Sequence, residues 1–497
     1  MEIRVVNQYR DFLNLKEQWN DLLKRSLHPI VFLTHQWIDT WWRSFGSGKS
    51  LFILLVYDNN ELSAIAPLMI HEADHVLLGK PHIVIKARKI EFIANVHSNR
   101  VDFIFGNKPS EACEAIVKFL IDDCSKQWDI ISLEYLLLQS PSVALLKNAL
   151  RQKNMAYRQY ALISSPFVPI NCTWKEYEQN ISATHKRNMA RKIKKLSKNG
   201  KVIYKKYDNT SDLESILEQI FTVASKSWKA KENTALSSTE QSRAFYTDLA
   251  YTAAKEGWLE IYVLYFNEIP LVFYFALRFD NRLLILKTEF DENYSEYSVG
   301  HMLTMNQLKN DFDRGLDEVD FLGPTMPWKT TYCKGNVKDH ISLHVFNKNY
   351  RGLCLNVAHR TKDTLKKLFE HNGMVIWYRQ RESKSQHKLS IPEIDASDPA
   401  KEEIILEQEG KENILSIPND NDDTNTPRQQ ISNDIPEEEV IRLISERTKA
   451  RQERDWHRAD EIRDILVNKG VEISDSRQGT TWRYVNSKIH EDGLDGR

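Results

Sequence analysis

The sequence predicts an α/β body made from a duplicated unit, then a polar tether, then a small C-terminal helical hairpin module. Three observations carry that expectation. A strand–turn–strand pattern occurs twice, at Leu51–Tyr57, Asn59-Asn60 and Ala64–Leu68, and again at Ile261–Phe266, Asn267-Glu268 and Leu271–Leu277. Apolar runs split by a short polar turn are the mark of a hairpin, and their recurrence suggests a repeat. From Pro392 to Pro436 the chain is acidic and polar, with Asn419–Asn425 almost devoid of apolar residues; such a composition buries no core. Beyond it, apolar residues return at helical spacing: Val440, Leu443 and Ile444 with Arg447 one turn on, then Ala459, Ile462, Leu466 and Val467.

The elements follow in order. After each hairpin come another strand, a helical stretch and a strand that begins at an aspartate, Asp129–Leu133 in the first half and Asp320–Gly323 in the second. Mixed strands and helices in two like halves give an α/β body, with halves at residues 1–165 and 166–385, a tether at 386–436 and a module at 437–497. In the second half Gly300 follows a polar turn and opens a helix from His301 to about Lys309. In the module Asp455 caps the second helix and Gly470 ends it. Its solvated side carries Arg442, Arg447, Lys449, Arg451, Arg454, Arg458 and Arg463.

Composition bounds the function. With 497 residues, the length prior allows three to four units, and 41% hydrophobic content supports true cores. A net charge of −1 makes any case for nucleic acid a local one. The five cysteines (Cys113, Cys124, Cys172, Cys333, Cys354) are widely spaced and read as reduced core thiols. No cysteine/histidine cluster has metal-ligand spacing, so no metal is expected. The start of the chain lacks a signal peptide and no apolar run reaches spanning length. A soluble cytoplasmic protein without a membrane span or a DNA partner is expected.

The tail reads E-R-x-x-A-R-x-x-x-D-W-x-x-A-D-x-I-R-D-x-L from Glu446 to Leu466, then G-V-E-I-x-D at Gly470 and G-T-T-W-R at Gly479. This string closely resembles the C-terminal module of cysteinyl-tRNA synthetase. The resemblance covers residues 437–484 and implies tRNA-Cys as a partner. Arg447, Arg451, Arg458, Arg463 and Arg483 would meet phosphates, and Trp482 would stack on an unpaired base. The H-I-G-H and K-M-S-K-S elements of a class I synthetase are absent from the sequence. The body is therefore not expected to activate cysteine.

The body carries a second set of motifs. Trp174 and Tyr177 precede Ser182–Asn188 and the basic run Arg191-Lys192 and Lys194-Lys195; then come Asp291, Tyr294, Tyr297-Ser298 and Gly300, Asp320–Gly323, and Trp328-Lys329. Their order resembles the GNAT-fold acyltransferases of the CelD type, related to Fem-type transferases. Pro29, Phe32, Gln36-Trp37, Trp41-Trp42 and Ala66-Pro67-Leu68 fit the same family. Across residues 1–380 the resemblance implies two tandem GNAT-like halves. It departs from the family in having Trp328 before the lysine, where a tyrosine is usual.

Acyl transfer needs a donor held through its anionic groups, a stabiliser for the oxyanion and a base for the acceptor amine. Donor binding is assigned by the resemblance to Arg187 and Arg191, with Lys186, Ser298 and Gly300; a glycine at a helix N-terminus lets amides approach an anion. Lys329 is the candidate oxyanion or phosphate partner, and Asp291 and Glu289 the candidate bases. His185 and His301 are further proton carriers by type. Joining body and tail gives the expectation that cysteinyl-tRNA is the donor to an amine acceptor. An acyl-CoA-dependent N-acetyltransferase with an accessory tail, and a non-catalytic tRNA-binding protein, are the alternatives.

Overall fold

The computed structural model describes residues 1–76, 84–371, 436–452, 462–463, 465–466, 469, 471–476 and 479–484. It divides into two compact units, Met1–Asp395 and Ala396–Arg497.

The first half of the larger unit runs β1 (Glu2–Val6), α1 (Tyr9–Leu13), α2 (Lys16–Arg25), α3 (His35–Phe45), β2 (Ser50–Leu51), β3 (Ile53–Asp58) and β4 (Glu61–Ala66). Asn59 and Asn60 join β3 to β4 at φ of 48° and 67°, the left-handed pair that closes a two-residue hairpin and that asparagine tolerates. The expected strand Ala64–Leu68 is interrupted at Pro67, which has no N–H for a ladder, and β5 (Leu68–Val76) leaves for a different sheet. Then come β6 (Val84–Phe92), β7 (Ile104–Phe105), α4 (Pro109–Lys118), β8 (Ile130–Leu137), α5 (Pro141–Gln152) and β9 (Ala156–Pro169).

The second half repeats the plan: α6 (Trp174–Gln179), α7 (Ala183–Lys198), β10 (Val202–Tyr207), α8 (Leu213–Ser225), α9 (Trp228–Lys231), α10 (Glu240–Lys255), β11 (Leu259–Phe266), β12 (Ile269–Phe279) and β13 (Arg282–Phe290). Asn267 and Glu268 make the same left-handed turn, at 46° and 68°. α11 (Val299–Asp313), β14 (Glu318–Asp320), α12 (Pro327–Cys333), β15 (Val337–Phe346) and α13 (Tyr350–His371) complete it. Each half has a strand antiparallel to its hairpin, β1 on β3 and β10 on β11. Each also has a crossover helix between parallel neighbours, α4 between β6 and β8 and α11 between β13 and β14.

Among the described residues the halves share one sheet of order β10-β11-β12-β13-β14-β9-β15-β8-β6-β5-β2, with β1-β3-β4-β7 as a separate sheet. β15, last in the second half, lies between β9 and β8, and the 165/166 boundary falls inside β9. The second aspartate-led strand is not seen as expected: Asp320 ends β14. Its carboxylate accepts the Leu322 N–H (2.9 Å), and Leu322 turns to φ 48°, which breaks the strand. Apolar side chains alternate across β13, Leu284 and Leu286 joining the core of α8 and α10, Leu283 and Ile285 that of α7 and α11. Cys113, Cys124 and Cys333 are buried thiols, whereas Cys172 and Cys354 are exposed, so only three are core residues. Among the described residues no helix is long and apolar enough to cross a membrane.

Buried histidines give the larger unit a defined acid limit. Burial holds His75, His340 and His359 down to about 4 and His97 and His344 to about 3. A folded pKa below the ordinary value of about 6.5 means stability that is present above pH 6.5 and lost as pH falls toward 4. Each unit of separation is worth about 1.4 kcal/mol per group. The melting temperature is expected to fall steeply between pH 6 and 4, as calorimetry across that range would read.

The smaller unit contains α14 (Glu437–Gln452), helical residues at 462–463 and 465–466, and an antiparallel ribbon of β16 (Val471–Ser476) and β17 (Gly479–Tyr484). The ribbon adds to the helical hairpin read from the sequence. Val440, Leu443, Ile462, Leu466 and Val471 form its core, with Ile444 against them.

Candidate active site and tRNA module

The site begins with a defect in the sheet. β13 runs to Phe290 but pairs with β14 only through Arg282, Leu283 and Leu284, so the two parallel strands part from Ile285 onward. On its other edge the pairing steps from Ala276–Ile285 to Phe275–Lys287, a β-bulge at Leu286. Strict alternation would put Lys287 and Glu289 on the face of Leu283 and Ile285. The bulge moves them to the α10 face, where Lys287 Nζ lies 5.7 Å over the Tyr246 ring and Glu289 Oε1 accepts the Leu236 N–H at 2.9 Å.

Glu289 is 2% exposed, and its Oε2 is buried without a hydrogen-bond partner. Burial raises its carboxyl against the pull of Lys229 and Lys287. Asp291 is equally buried but occupied: it accepts the Asn293 N–H (3.0 Å) and pairs with Lys226 at 3.4 Å. As a proton acceptor Glu289 is the freer of the two. Lys329, from α12, is buried and donates to the Leu322 and Pro324 carbonyls, the latter at 3.0 Å. Burial, reinforced by Lys229, lowers its ammonium to about 8. Leu322 and Gly323 both have positive φ (48° and 58°), and a Cβ on Gly323 would lie 3.7 Å from Lys329 Nζ and 3.8 Å from Asn99 Oδ1. The first half thus reaches this loop, and Arg100 anchors it through Asp320 (2.6 Å). Burial would raise Asp320, but Arg100 and Lys338 bring it to about 2.

The other face of β13 carries an open cleft of about 290 Å³ lined by His185, Asn188, Met189, Arg191, Lys192, Ser298 and His301. α7 turns Met189 and Leu196 inward and leaves Arg187 and Arg191 exposed. Arg191 and Ser298 line the cleft, whereas Arg187 and Lys186 do not; Lys186 donates back to the Glu178 carbonyl (3.1 Å). Lys192, grouped in sequence with a general basic surface, donates to Ser298 Oγ. α11 starts at Val299, two residues earlier than expected, and a Cβ on Gly300 in its first turn would meet nothing within 4 Å. At the cleft wall Tyr332, buried and unmarked by the sequence reading, has its hydroxyl 2.8 Å from His301 Nδ1 and 3.3 Å from His185 Nε2. Burial and neighbouring charge lower His301 to about 4 and also lower His185, so both rings are neutral at pH 7. Among the described residues no group of three or more His, Cys, Asp or Glu is arranged to hold a metal.

In the smaller unit Arg463 is exposed and Arg447 is not. Arg447 is 5% exposed, seven residues from Val440 and four from Leu443 on the packed face of α14, which corrects its placement on the solvated side. Helical period decides the matter: 440, 443 and 447 share one stripe. Arg442 pairs with Glu446 at 3.0 Å and Glu439 at 3.5 Å. Arg451 belongs to α14, and Trp482 and Arg483 to β17 opposite Ile473 and Glu472. Arg454, Asp455, Arg458, Val467 and Gly470 lie outside the described residues, as does the tether apart from Pro436.

The parted strands, the bulge and α11 all fall within one stretch of the chain that has known relatives. Residues 183–330 match the family described as acetyltransferase (GNAT) domain. Residues 433–483 match the cysteinyl-tRNA ligase anticodon binding domain. The chain therefore carries a GNAT domain and a C-terminal cysteinyl-tRNA ligase-type module. The cysteine–tRNA ligase of Geobacter metallireducens is 59% identical over 49 residues, 10% of each chain. That of Legionella pneumophila (strain Corby) is 44% identical over 62 residues, 12% of this chain and 14% of the other. The chain spans about a tenth of the length of these curated relatives. Solved structures similar to it include FemX, at 12% identity and TM-score 0.46 over 70% of this chain and 98% of the other. Another is a tandem GNAT protein from the clavulanic acid biosynthesis pathway, at 8% identity and TM-score 0.38 over 69% and 98%.

Proposed function

We propose that the protein is a cytoplasmic transferase that moves an aminoacyl group from cysteinyl-tRNA to an amine, the tRNA being recruited by the C-terminal module. The observation that supports this most is the presence in one chain of a GNAT domain and a cysteinyl-tRNA ligase-type anticodon binding domain. The tether turns capture of the tRNA into a high local concentration of its acylated end, without new contacts in the body.

The chemistry divides across the gap in the sheet. Arg191, Lys192 and the α11 N-terminus hold the donor's phosphate. The acceptor nitrogen attacks the acyl carbon, Glu289 takes the nitrogen's proton, and Lys329 stabilises the oxyanion. The ester C–O bond breaks, and the ribose hydroxyl leaves with a proton returned to its oxygen. Acyl-CoA is the second reading, because a cleft with Arg191 and Lys192 at a helix N-terminus also suits a pyrophosphate; there a C–S bond breaks instead.

The deciding experiment incubates the protein and a cell extract with [35S]Cys-tRNA and, separately, with labelled acetyl-CoA. Label transferred from the tRNA, abolished by ribonuclease and falling with salt, is the expected result. Transfer from acetyl-CoA alone selects the second reading, and binding without any transfer leaves a tRNA-binding protein. Glu289→Gln is expected to lose most transfer while raising the melting temperature at neutral pH. A carboxyl with a raised folded pKa costs stability once pH exceeds its ordinary value of about 4.3, and the amide removes that cost. Equal melting curves together with unchanged turnover would remove Glu289 from the mechanism.

A further inference from the structure

Lys287 of β13 lies over Tyr246 of α10, Lys229 of α9 reaches the neighbouring Thr288 carbonyl, and Lys329 of α12 is close enough for Lys229 to act on it. Lys229 Nζ donates to the Thr288 carbonyl at 2.9 Å, and Lys329 to two carbonyls of its own loop. Lys287 makes no hydrogen bond or ion pair among the described residues; it approaches the Tyr246 ring and lies within the field of Glu289. The nearby carboxylates compensate only in part. Asp320 is engaged by Arg100 and Lys338, which leaves Glu289 as the one carboxylate that acts on both Lys229 and Lys287. Burial lowers Lys229, and burial first, then Lys229 beside it, brings Lys287 down to about 8, with Glu289 opposing both shifts. Lys229 and Lys287 each keep part of their surface exposed. Charges withdrawn from water are ordinarily paired, and here Lys229 and Lys287 share one carboxylate, Glu289, that no cation pairs directly among the described residues.

We propose that this cluster is an acceptor subsite that receives a compact anion, carboxylate or phosphate, borne by the acceptor beside its amine. This rests on the transferase reading and assigns the acceptor's chemical class. Lys287 and Lys229 hold the anion, which places the amine toward Glu289, on the face of β13 opposite the donor cleft. An acceptor with no anion lacks that anchor.

The test is reductive methylation of the full-length protein, with lysine modification read by peptide mass spectrometry. It is run with sodium propanoate, methyl phosphate or propan-1-ol at matched ionic strength. At ten times the dissociation constant an anion slows Lys287 methylation about tenfold, while exposed Lys24 is unaffected and propan-1-ol protects nothing. In Lys287→Met, with an unaltered melting curve, the protection of Lys229 disappears. Protection by propanoate alone identifies a carboxylate acceptor, and by methyl phosphate alone a phosphate acceptor. Equal rates with and without anion, or equal protection by propan-1-ol, overturn the proposal. The readout needs no turnover. An active transferase with unprotected lysines sinks the subsite only, and protected lysines without transfer sink the transferase only.

Discussion

Lys329→Met is expected to lower kcat by about 10²–10³-fold, the usual loss when one oxyanion donor is removed, with the acceptor KM changed only a few-fold. Lys329 is buried and fixed by two carbonyls of a left-handed turn, so its ammonium is aimed before substrate arrives. With a value near 8 it is charged at neutral pH, and wild-type turnover should decline as pH rises past 8. Methionine also strips those carbonyls of their donor, and each unsatisfied buried group costs about 1–3 kcal/mol. The two effects separate in single-turnover measurements made well below the variant's melting temperature. A purely structural lysine predicts loss in proportion to the unfolded fraction and an unchanged high-pH limb. Lys329→Arg restores charge but not the point geometry of an ammonium, so it should recover stability more than rate.

How much of this was legible in the sequence follows from the range of the interactions. The two hairpins were readable because a two-residue turn and its flanking apolar runs are local, and Asn59-Asn60 and Asn267-Glu268 adopt the same left-handed pair. The parting of β13 from β14 was not, because it depends on which distant strand lies alongside and where that contact stops. Nor was the bulge at Leu286, yet it decides which face Lys287 and Glu289 occupy. Lys287 was visible only as a lysine in an apolar strand, and Tyr332 left no signal because its role comes from His185 and His301 far away in the chain. Arg447 shows the opposite failure: its position on the packed stripe was readable from the spacing, and its charge alone suggested the surface.

Removal of residues 396–497, at the division between the two units, is expected to raise the KM for cysteinyl-tRNA by about 10²-fold while leaving kcat at saturating tRNA within a few-fold. Linked binding of this kind adds about 10²–10⁴ to apparent affinity without touching the chemical step. The truncated body should also lose most of the salt dependence of kcat/KM, because the phosphate contacts that release counterions go with the module. Arg463→Ala, an exposed arginine outside the small core, should flatten the salt slope of the full chain by about one phosphate contact. It should not alter the melting curve. The same truncation leaves acetyl-CoA turnover, where measurable, unchanged. A truncated body that uses cysteinyl-tRNA as well as the full chain does would show that the module recruits nothing for the reaction. The donor would then have to be selected in the cleft of Arg191, Lys192 and Ser298 alone.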